Sequence, residues 1–121
     1  MILVDTSVWV DHLRDTNAVL LNLIAEGVLL HHPFVTAELA LGILPDRDRF
    51  CAMLHGLPQA VPVSSEDLAT FVVERELLGA GLGMVDAHLL ASTILDGQNV
   101  LWSTDRRLAN QAQRLGVAYH F

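Results

Sequence analysis

Short apolar runs alternate along the chain with longer stretches in which apolar residues recur at helical spacing. The run at residues 2–4 is apolar at consecutive positions, as in a strand that is covered on both faces. Strands that alternate with helices usually pair side by side in a parallel sheet. The pattern predicts five strands, at residues 2–4, 28–30, 61–63, 100–102 and 117–119. Pro62 interrupts the third run and favours an edge position for it.

The segments between these runs carry helix signals. One stretch places Ala87, Leu90, Ala91 and Ile94 at the i, i+3, i+4 and i+7 positions of one helix face. Comparable patterns predict further helices at residues 8–14, 17–26 and 35–43, around residues 50–54, from residue 64, and at residues 105–115. Five strands and about six or seven helices in this order predict a doubly wound α/β fold with a mainly parallel sheet.

The composition narrows the class of protein. The 121 residues are 52% apolar and 17% charged, which suits one domain spanning residues 1–121 and excludes a disordered chain. The one cysteine, Cys51, excludes a disulfide scaffold and a cysteine-rich zinc fold. No apolar stretch reaches the roughly 20 residues of a membrane span, and the first residues lack the basic region of a secretory signal. We therefore expect a cytoplasmic protein with no membrane segment.

The charge balance is acidic, with a formal net charge of −7. All seven basic residues are arginine, and the absence of lysine excludes a P-loop lysine and Schiff-base chemistry. The balance also lacks the basic character typical of nucleic-acid-binding proteins. The chemistry must therefore depend on carboxylates, arginines, hydroxyls, histidines or the thiol.

Four acidic residues lie where functional sites form in α/β sheets, outside the carboxyl ends of the strands. Asp5 directly follows the first predicted strand, and Asp105 follows the strand at residues 100–102. Glu38 lies in an apolar stretch near the start of the helix after the second strand, and Asp86 begins the helix at residues 85–95. Hydroxyl residues accompany two of these acids: Thr6, Ser7, Ser103 and Thr104.

A cluster of carboxylates needs a counter-charge, because like charges a few ångströms apart raise one another's pKa. No lysine can supply that charge, and an all-oxygen site favours Mg²⁺ or Mn²⁺. Such an ion can activate a water and hold a phosphate oxygen, which suits hydrolysis of a phosphodiester. The competing interpretation is that each acid merely caps a helix, since Asp and Glu are favoured in first turns. The convergence of four acids on one sheet edge favours the site.

Four segments resemble the PIN-domain ribonucleases and, more narrowly, the VapC-type toxins of bacterial toxin–antitoxin pairs. They are Leu3 to Trp9, Glu38 to Ala40, Asp86 to Ala91, and Trp102 to Leu108, and together they extend over essentially the whole chain. The resemblance implies a PIN-like fold and a metal-dependent endoribonuclease that hydrolyses RNA. It also implies an antitoxin partner that blocks the enzyme and, commonly, a homodimer.

The resemblance assigns roles to particular residues. Asp5, Asp86 and Asp105 would hold Mg²⁺ or Mn²⁺, and Glu38 would orient or deprotonate the attacking water. Thr6 and Thr104 match hydroxyl positions that support the site. Among the arginines, we regard Arg106, Arg107 and Arg114 as candidates for gripping RNA phosphates, although each could instead complement local acidic groups or a helix end.

Two other hypotheses remain open at this point. An aspartyl phosphatase of the haloacid-dehalogenase type also has an acid after its first strand, but it needs a second acid two residues on, where this chain has Ser7, and a lysine. A non-catalytic PIN-like binding or scaffold module would use the four acids only as caps.

The two-residue spacing from Asp86 places His88 on another side of the helix and favours a packing role. The helix at residues 17–26 is apolar enough for dimerisation or antitoxin docking.

Overall fold

The computed structural model describes residues 1–120, and its sheet has three parallel strands. They are β1 (Ile2–Val4), β2 (Leu29–Leu30) and β3 (Val100–Trp102). β1 lies in the centre, in the order β2-β1-β3, with Leu3 paired to Leu30 on one side and to Leu101 on the other. The predicted parallel arrangement is therefore confirmed.

Seven helices surround this sheet within residues 1–120, which confirms the predicted α/β class and helix number. Their bounds are α1 Thr6–Arg14, α2 Ala18–Glu26, α3 Pro33–Leu41, α4 Arg47–His55, α5 Ser65–Glu74, α6 Met84–Asp96 and α7 Arg106–Arg114. Local signals explain several ends: Asn17 and Ser64 cap α2 and α5 through their side chains, and Gly27 ends α2 with a left-handed φ of 71°.

The prediction of five strands was wrong, because the segments at 61–63 and 117–119 do not form strands. Beside β2, the chain makes only an isolated bridge between His31 and Gln59. Val61 and Pro62 are exposed beyond it, and proline has no N–H to extend a ladder. Beside β3, a single bridge joins Leu101 to Ala118. Val63, Val117 and Tyr119 pack against the core, but neither segment has enough paired positions to make a strand.

The core forms where the sheet meets the helices. Leu3, Val4 and Trp9 are fully buried, and the Trp9 ring lies edge-on to Phe50 with 5.9 Å between ring centroids. α6 buries seven consecutive residues, from Ala87 to Thr93. Each large apolar side chain buried here stabilises the fold by roughly 1.5–3 kcal/mol. In α2, Leu20 belongs to this core, whereas Leu21 is exposed.

The sheet brings the ends of β1 and β3 together. The backbone N–H of Asp5 donates to the carbonyl of Trp102 over 2.9 Å, so the chain leaves both strands at one place. The starts of α1 and α7 follow directly, which places Asp5, Ser103 and Asp105 at the same sheet edge. No helix among residues 1–120 has the length and apolar character required to cross a membrane.

Candidate active site

Asp5 is a buried carboxylate held by one serine close to it in the chain and one serine far from it. Its side chain is 4% exposed, and its Oδ2 accepts hydrogen bonds from Ser7 Oγ (2.8 Å) and Ser103 Oγ (2.7 Å). Asp5 occupies the N-cap position of α1, yet it makes no side-chain capping bond. Helix capping therefore does not explain this acid.

Backbone N–H groups orient the two serines in turn. Ser7 Oγ accepts from the N–H of Thr104 (3.1 Å), and Ser103 Oγ accepts from the N–H of Asp105 (3.0 Å). Each hydroxyl consequently accepts one hydrogen bond and donates another to Asp5 Oδ2. Asp5 Oδ1 makes no hydrogen bond within residues 1–120 and is left available for a ligand.

Asp86 is the third residue of α6, and its carboxyl group lies close to the other three acids. Burial raises its pKa from 3.8 to about 6, and the charges of Asp5, Asp105 and Glu38 contribute to that rise. A hydrogen bond from the Gly83 backbone lowers the pKa and offsets part of the effect. The perturbed pKa shows that the four acids share one electrostatic environment.

Glu38 reaches the site from α3. Its Oε1 accepts a hydrogen bond from Thr6 Oγ1 over 2.7 Å, which joins the first turn of α1 to α3. The residue is exposed, so its second oxygen can meet solvent. Thr6 thus supports Glu38, while its neighbour Ser7 supports Asp5.

Asp105 does cap its helix. Its Oδ1 accepts from the N–H groups of Arg107 (3.0 Å) and Leu108 (3.2 Å). These bonds leave Asp105 Oδ2 without a partner in the described part of the chain. Capping and ligand binding are therefore compatible at this residue, because they use different oxygens.

The four carboxylates match the oxygen chemistry of a hard divalent cation. None of them forms an ion pair with an arginine or histidine in residues 1–120, where Asp46 and Arg49 form the one pair within 4.0 Å. In the same residues, no three His, Cys, Asp or Glu side chains are placed to hold a metal ion as they stand. The other three acids are close enough to Asp86 to raise its pKa, but the four do not already enclose an ion.

The supporting hydroxyls differ in part from those indicated by the resemblance. Thr104 contributes its backbone N–H, while its hydroxyl donates to Asp11 over 3.3 Å. The hydroxyls that reach Asp5 belong to Ser7 and Ser103, which the resemblance did not single out. The signal for Ser103 is its place directly after β3, opposite Asp5 after β1.

The three arginines considered for RNA binding have different surroundings. Arg106 is exposed and has no hydrogen bond or ion pair within residues 1–120. Arg107 donates to the Gly81 carbonyl (3.5 Å), and Arg114 donates to Gln111 Oε1 (2.8 Å) and the Arg75 carbonyl (2.7 Å). Arg106 alone of the three has an uncommitted guanidinium.

His88 is buried behind the acids. It is 5% exposed, and its ring packs edge-on against Phe34 with 4.9 Å between centroids. Neighbouring His32 is also buried, and its pKa falls to about 4 because of burial and then the charges of His88 and His31. These imidazoles pack beside the site.

Comparison with known proteins identifies the family to which this chain belongs. The PIN domain family model matches residues 2–113, so the chain belongs to the PIN domain family. The resemblance seen in the sequence is thereby confirmed. Among individual proteins, the chain is similar to Ribonuclease VapC32 of Mycobacterium tuberculosis, from strain CDC 1551 / Oshkosh and from strain ATCC 25618 / H37Rv. Each is 44% identical over 118 residues, which cover 98% of this chain and 95% of the relative.

Proposed function

We propose that the protein is a Mg²⁺- or Mn²⁺-dependent endoribonuclease that acts as the toxin of a toxin–antitoxin pair. The observation that carries the proposal is the group of four carboxylates formed by Asp86 and three neighbouring acids, none of them neutralised by an arginine or histidine within residues 1–120. The relatives named as ribonucleases, which match nearly the whole chain, supply the substrate class.

Asp5, Asp86 and Asp105 are the ligands in this proposal. Asp5 would offer Oδ1 and Asp105 would offer Oδ2, since hydrogen bonds already engage the other oxygen of each. A bound Mg²⁺ or Mn²⁺ supplies an activated water and charge stabilisation on the phosphate. Ser7 and Ser103 prevent the Asp5 carboxylate from rotating, so its free oxygen keeps a fixed direction.

Glu38 accepts the proton of the attacking water in the proposed mechanism. Thr6 donates to Oε1 and leaves Oε2 as the accepting atom. Because Glu38 is exposed on α3, its Oε2 can meet a water that enters from solvent. Loss of such a general base typically lowers the rate by about 10²–10⁴-fold.

Arg106 is the phosphate contact favoured by the structure. It follows Asp105 directly and has no other partner in the described residues, whereas Arg107 and Arg114 donate to backbone carbonyls. The net charge of −7 gives RNA no long-range attraction. Local contacts with an arginine and with the bound cation must therefore hold the RNA phosphates.

An antitoxin and a second copy of the chain are the proposed protein partners. A groove beside the site is lined by Val10, Leu13, Leu39 and Leu44, with Glu38 and Arg14 at its margin. Ile43 also lines this groove, and Ile43 and Leu41 are both strongly exposed. The apolar lining beside an acidic site suits an antitoxin segment that combines apolar and basic side chains, and light scattering with and without antitoxin would give the stoichiometry.

The alternative is a non-catalytic binding or scaffold module. It is favoured by the Asp105 capping bonds and by the absence of a pre-closed metal cage within residues 1–120. The phosphatase hypothesis fails on family membership and on Ser7, which donates to Asp5 where that chemistry needs an acid.

Cleavage of total RNA by the purified protein tests the proposal. We expect cleavage with Mn²⁺, none with EDTA, and none from the Asp86→Asn variant under conditions in which it remains folded. A scaffold module would cleave nothing and would show no rise in melting temperature at millimolar Mn²⁺. Equal cleavage by wild type and Asp86→Asn would also contradict the proposal.

A further inference from the structure

Arg107 contacts the start of α7, which follows Asp105, and the loop that leads into α6, which carries Asp86. Its backbone N–H donates to Asp105 Oδ1 over 3.0 Å. Its guanidinium Nη1 donates to the Gly81 carbonyl over 3.5 Å. Gly81 belongs to the loop at residues 79–83, which ends at Gly83, the N-cap of α6 and the third residue before Asp86.

The arginine side chain lies directly against a position that has no side chain of its own. Gly81 has a φ of +79°, a conformation that glycine adopts without strain. A Cβ built there would lie 3.2 Å from Arg107 Cδ and 3.5 Å from Nε. Glycine at residue 81 therefore suits both the backbone conformation and the close approach of Arg107.

The loop held in this way also contacts Asp86. A hydrogen bond from the Gly83 backbone favours the ionised Asp86 carboxylate, against the three neighbouring acids. Movement of the loop would shift the start of α6 and this hydrogen bond together. The contacts thus form a path from Asp105 through Arg107 and the loop to Asp86.

We propose that Arg107 is a positioning residue that fixes Asp86 relative to Asp105 and does not bind RNA phosphates. The inference rests on the proposed function, because the two aspartates are ligands only if the metal site exists. It separates Arg107 from its neighbour Arg106, whose guanidinium contacts nothing else in residues 1–120.

Mn²⁺ binding to the full chain, measured by calorimetry without RNA, tests the role directly. Arg107→Gln removes the long donor, and we expect about a tenfold loss of Mn²⁺ affinity, the lower end of the range for groups that orient metal ligands. Amide hydrogen exchange at Gly83 should become faster in the same variant. Arg107→Lys can still donate to the Gly81 carbonyl and should restore part of both properties.

Two control variants separate positioning from RNA contact and from a general loss of charge. Arg49→Gln, at an exposed site with one weak ion pair, should keep the wild-type Mn²⁺ affinity. Arg106→Gln should also keep it, but should raise KM for RNA and reduce the salt dependence of binding by about one phosphate contact. In Arg107→Gln the salt dependence should stay as in the wild type.

The inference is overturned if Arg107→Gln keeps wild-type Mn²⁺ affinity and wild-type Gly83 exchange, or if it reduces the salt dependence as an RNA contact would. Failure of the proposed function looks different: the wild type would then bind no Mn²⁺ and cleave no RNA. In that case faster Gly83 exchange in Arg107→Gln would still support the contact with the loop, and unchanged exchange would refute it.

Discussion

Asp86 should destabilise the metal-free protein, and Asp86→Asn should therefore stabilise it. The pKa of this carboxyl group rises from 3.8 to about 6 in the folded protein, through burial and then the charges of the other three acids. At about 1.4 kcal/mol per pH unit, the rise corresponds to at most about 3 kcal/mol. Since Asp86 is only partly buried, solvent screening reduces this value, and we expect about 1 kcal/mol.

The pH dependence has a definite sign because the folded pKa lies above the unfolded one. Below about pH 4 the carboxyl group is protonated in both states, and Asp86 costs no stability. Between pH 4 and 6 the unfolded chain loses its proton first, so the free energy of unfolding falls as the pH rises. The full cost is present above pH 6, and it is there that the asparagine variant should gain.

Urea unfolding in EDTA at pH 4 and pH 8 measures the effect. We expect Asp86→Asn to gain about 1 kcal/mol at pH 8, or about 3–5 °C in melting temperature, and almost nothing at pH 4. Asp15→Asn is the matched control, because it makes the same chemical change at an exposed acid outside the cluster. A gain of the same size at both pH values, or none at pH 8, would refute the electrostatic reasoning.

Three further predictions follow from other contacts. Ser103→Ala removes a donor to Asp5 and leaves the Asp105 N–H unpaired. Urea unfolding should therefore show a free energy of unfolding lower by about 1–3 kcal/mol, and calorimetry should show a weaker Mn²⁺ affinity. Unchanged values would contradict the proposed hydrogen-bond network. Glu38→Gln should lower kcat by about 10²–10⁴-fold while Mn²⁺ affinity stays near that of the wild type, and an equal loss of both would make Glu38 a ligand. Glu76 has a φ of 57°, so Glu76→Gly should raise the free energy of unfolding by about 1 kcal/mol in urea, and a loss would contradict the strain argument.

The sequence predicted the fold class well because the strongest signals were local. The run at residues 2–4 and the spacing in residues 85–95 have the periods of a buried strand and an amphipathic helix, and both elements are present. The predicted number of strands was wrong for a reason that lies outside the local pattern. An apolar triplet becomes a strand only if a neighbour offers several hydrogen-bonding positions, and at Ala118 only one was paired.

The sequence was enough to choose the acids of the candidate site, whose role stays a prediction, but not to predict their hydrogen bonds. Asp5 and Asp105 follow adjacent parallel strands, and the strand-end rule alone brings them to one sheet edge. The choice of Ser103 over Thr104 as the donor to Asp5 depends on how the chain turns after Trp102. The separation of Arg106 from Arg107 likewise depends on the position of Gly81, which is 26 residues away in the chain.

The central claim is that the four carboxylates form a site for a divalent cation, and calorimetric titration of Mn²⁺ into the wild type and Asp5→Asn tests it most directly. Asparagine keeps an oxygen for the two serine hydroxyls, so the variant should remain folded while its metal ligand is lost. We predict saturable binding to the wild type and at least a tenfold weaker affinity in Asp5→Asn. Equal affinities, or no binding to the wild type at millimolar Mn²⁺, would contradict the claim.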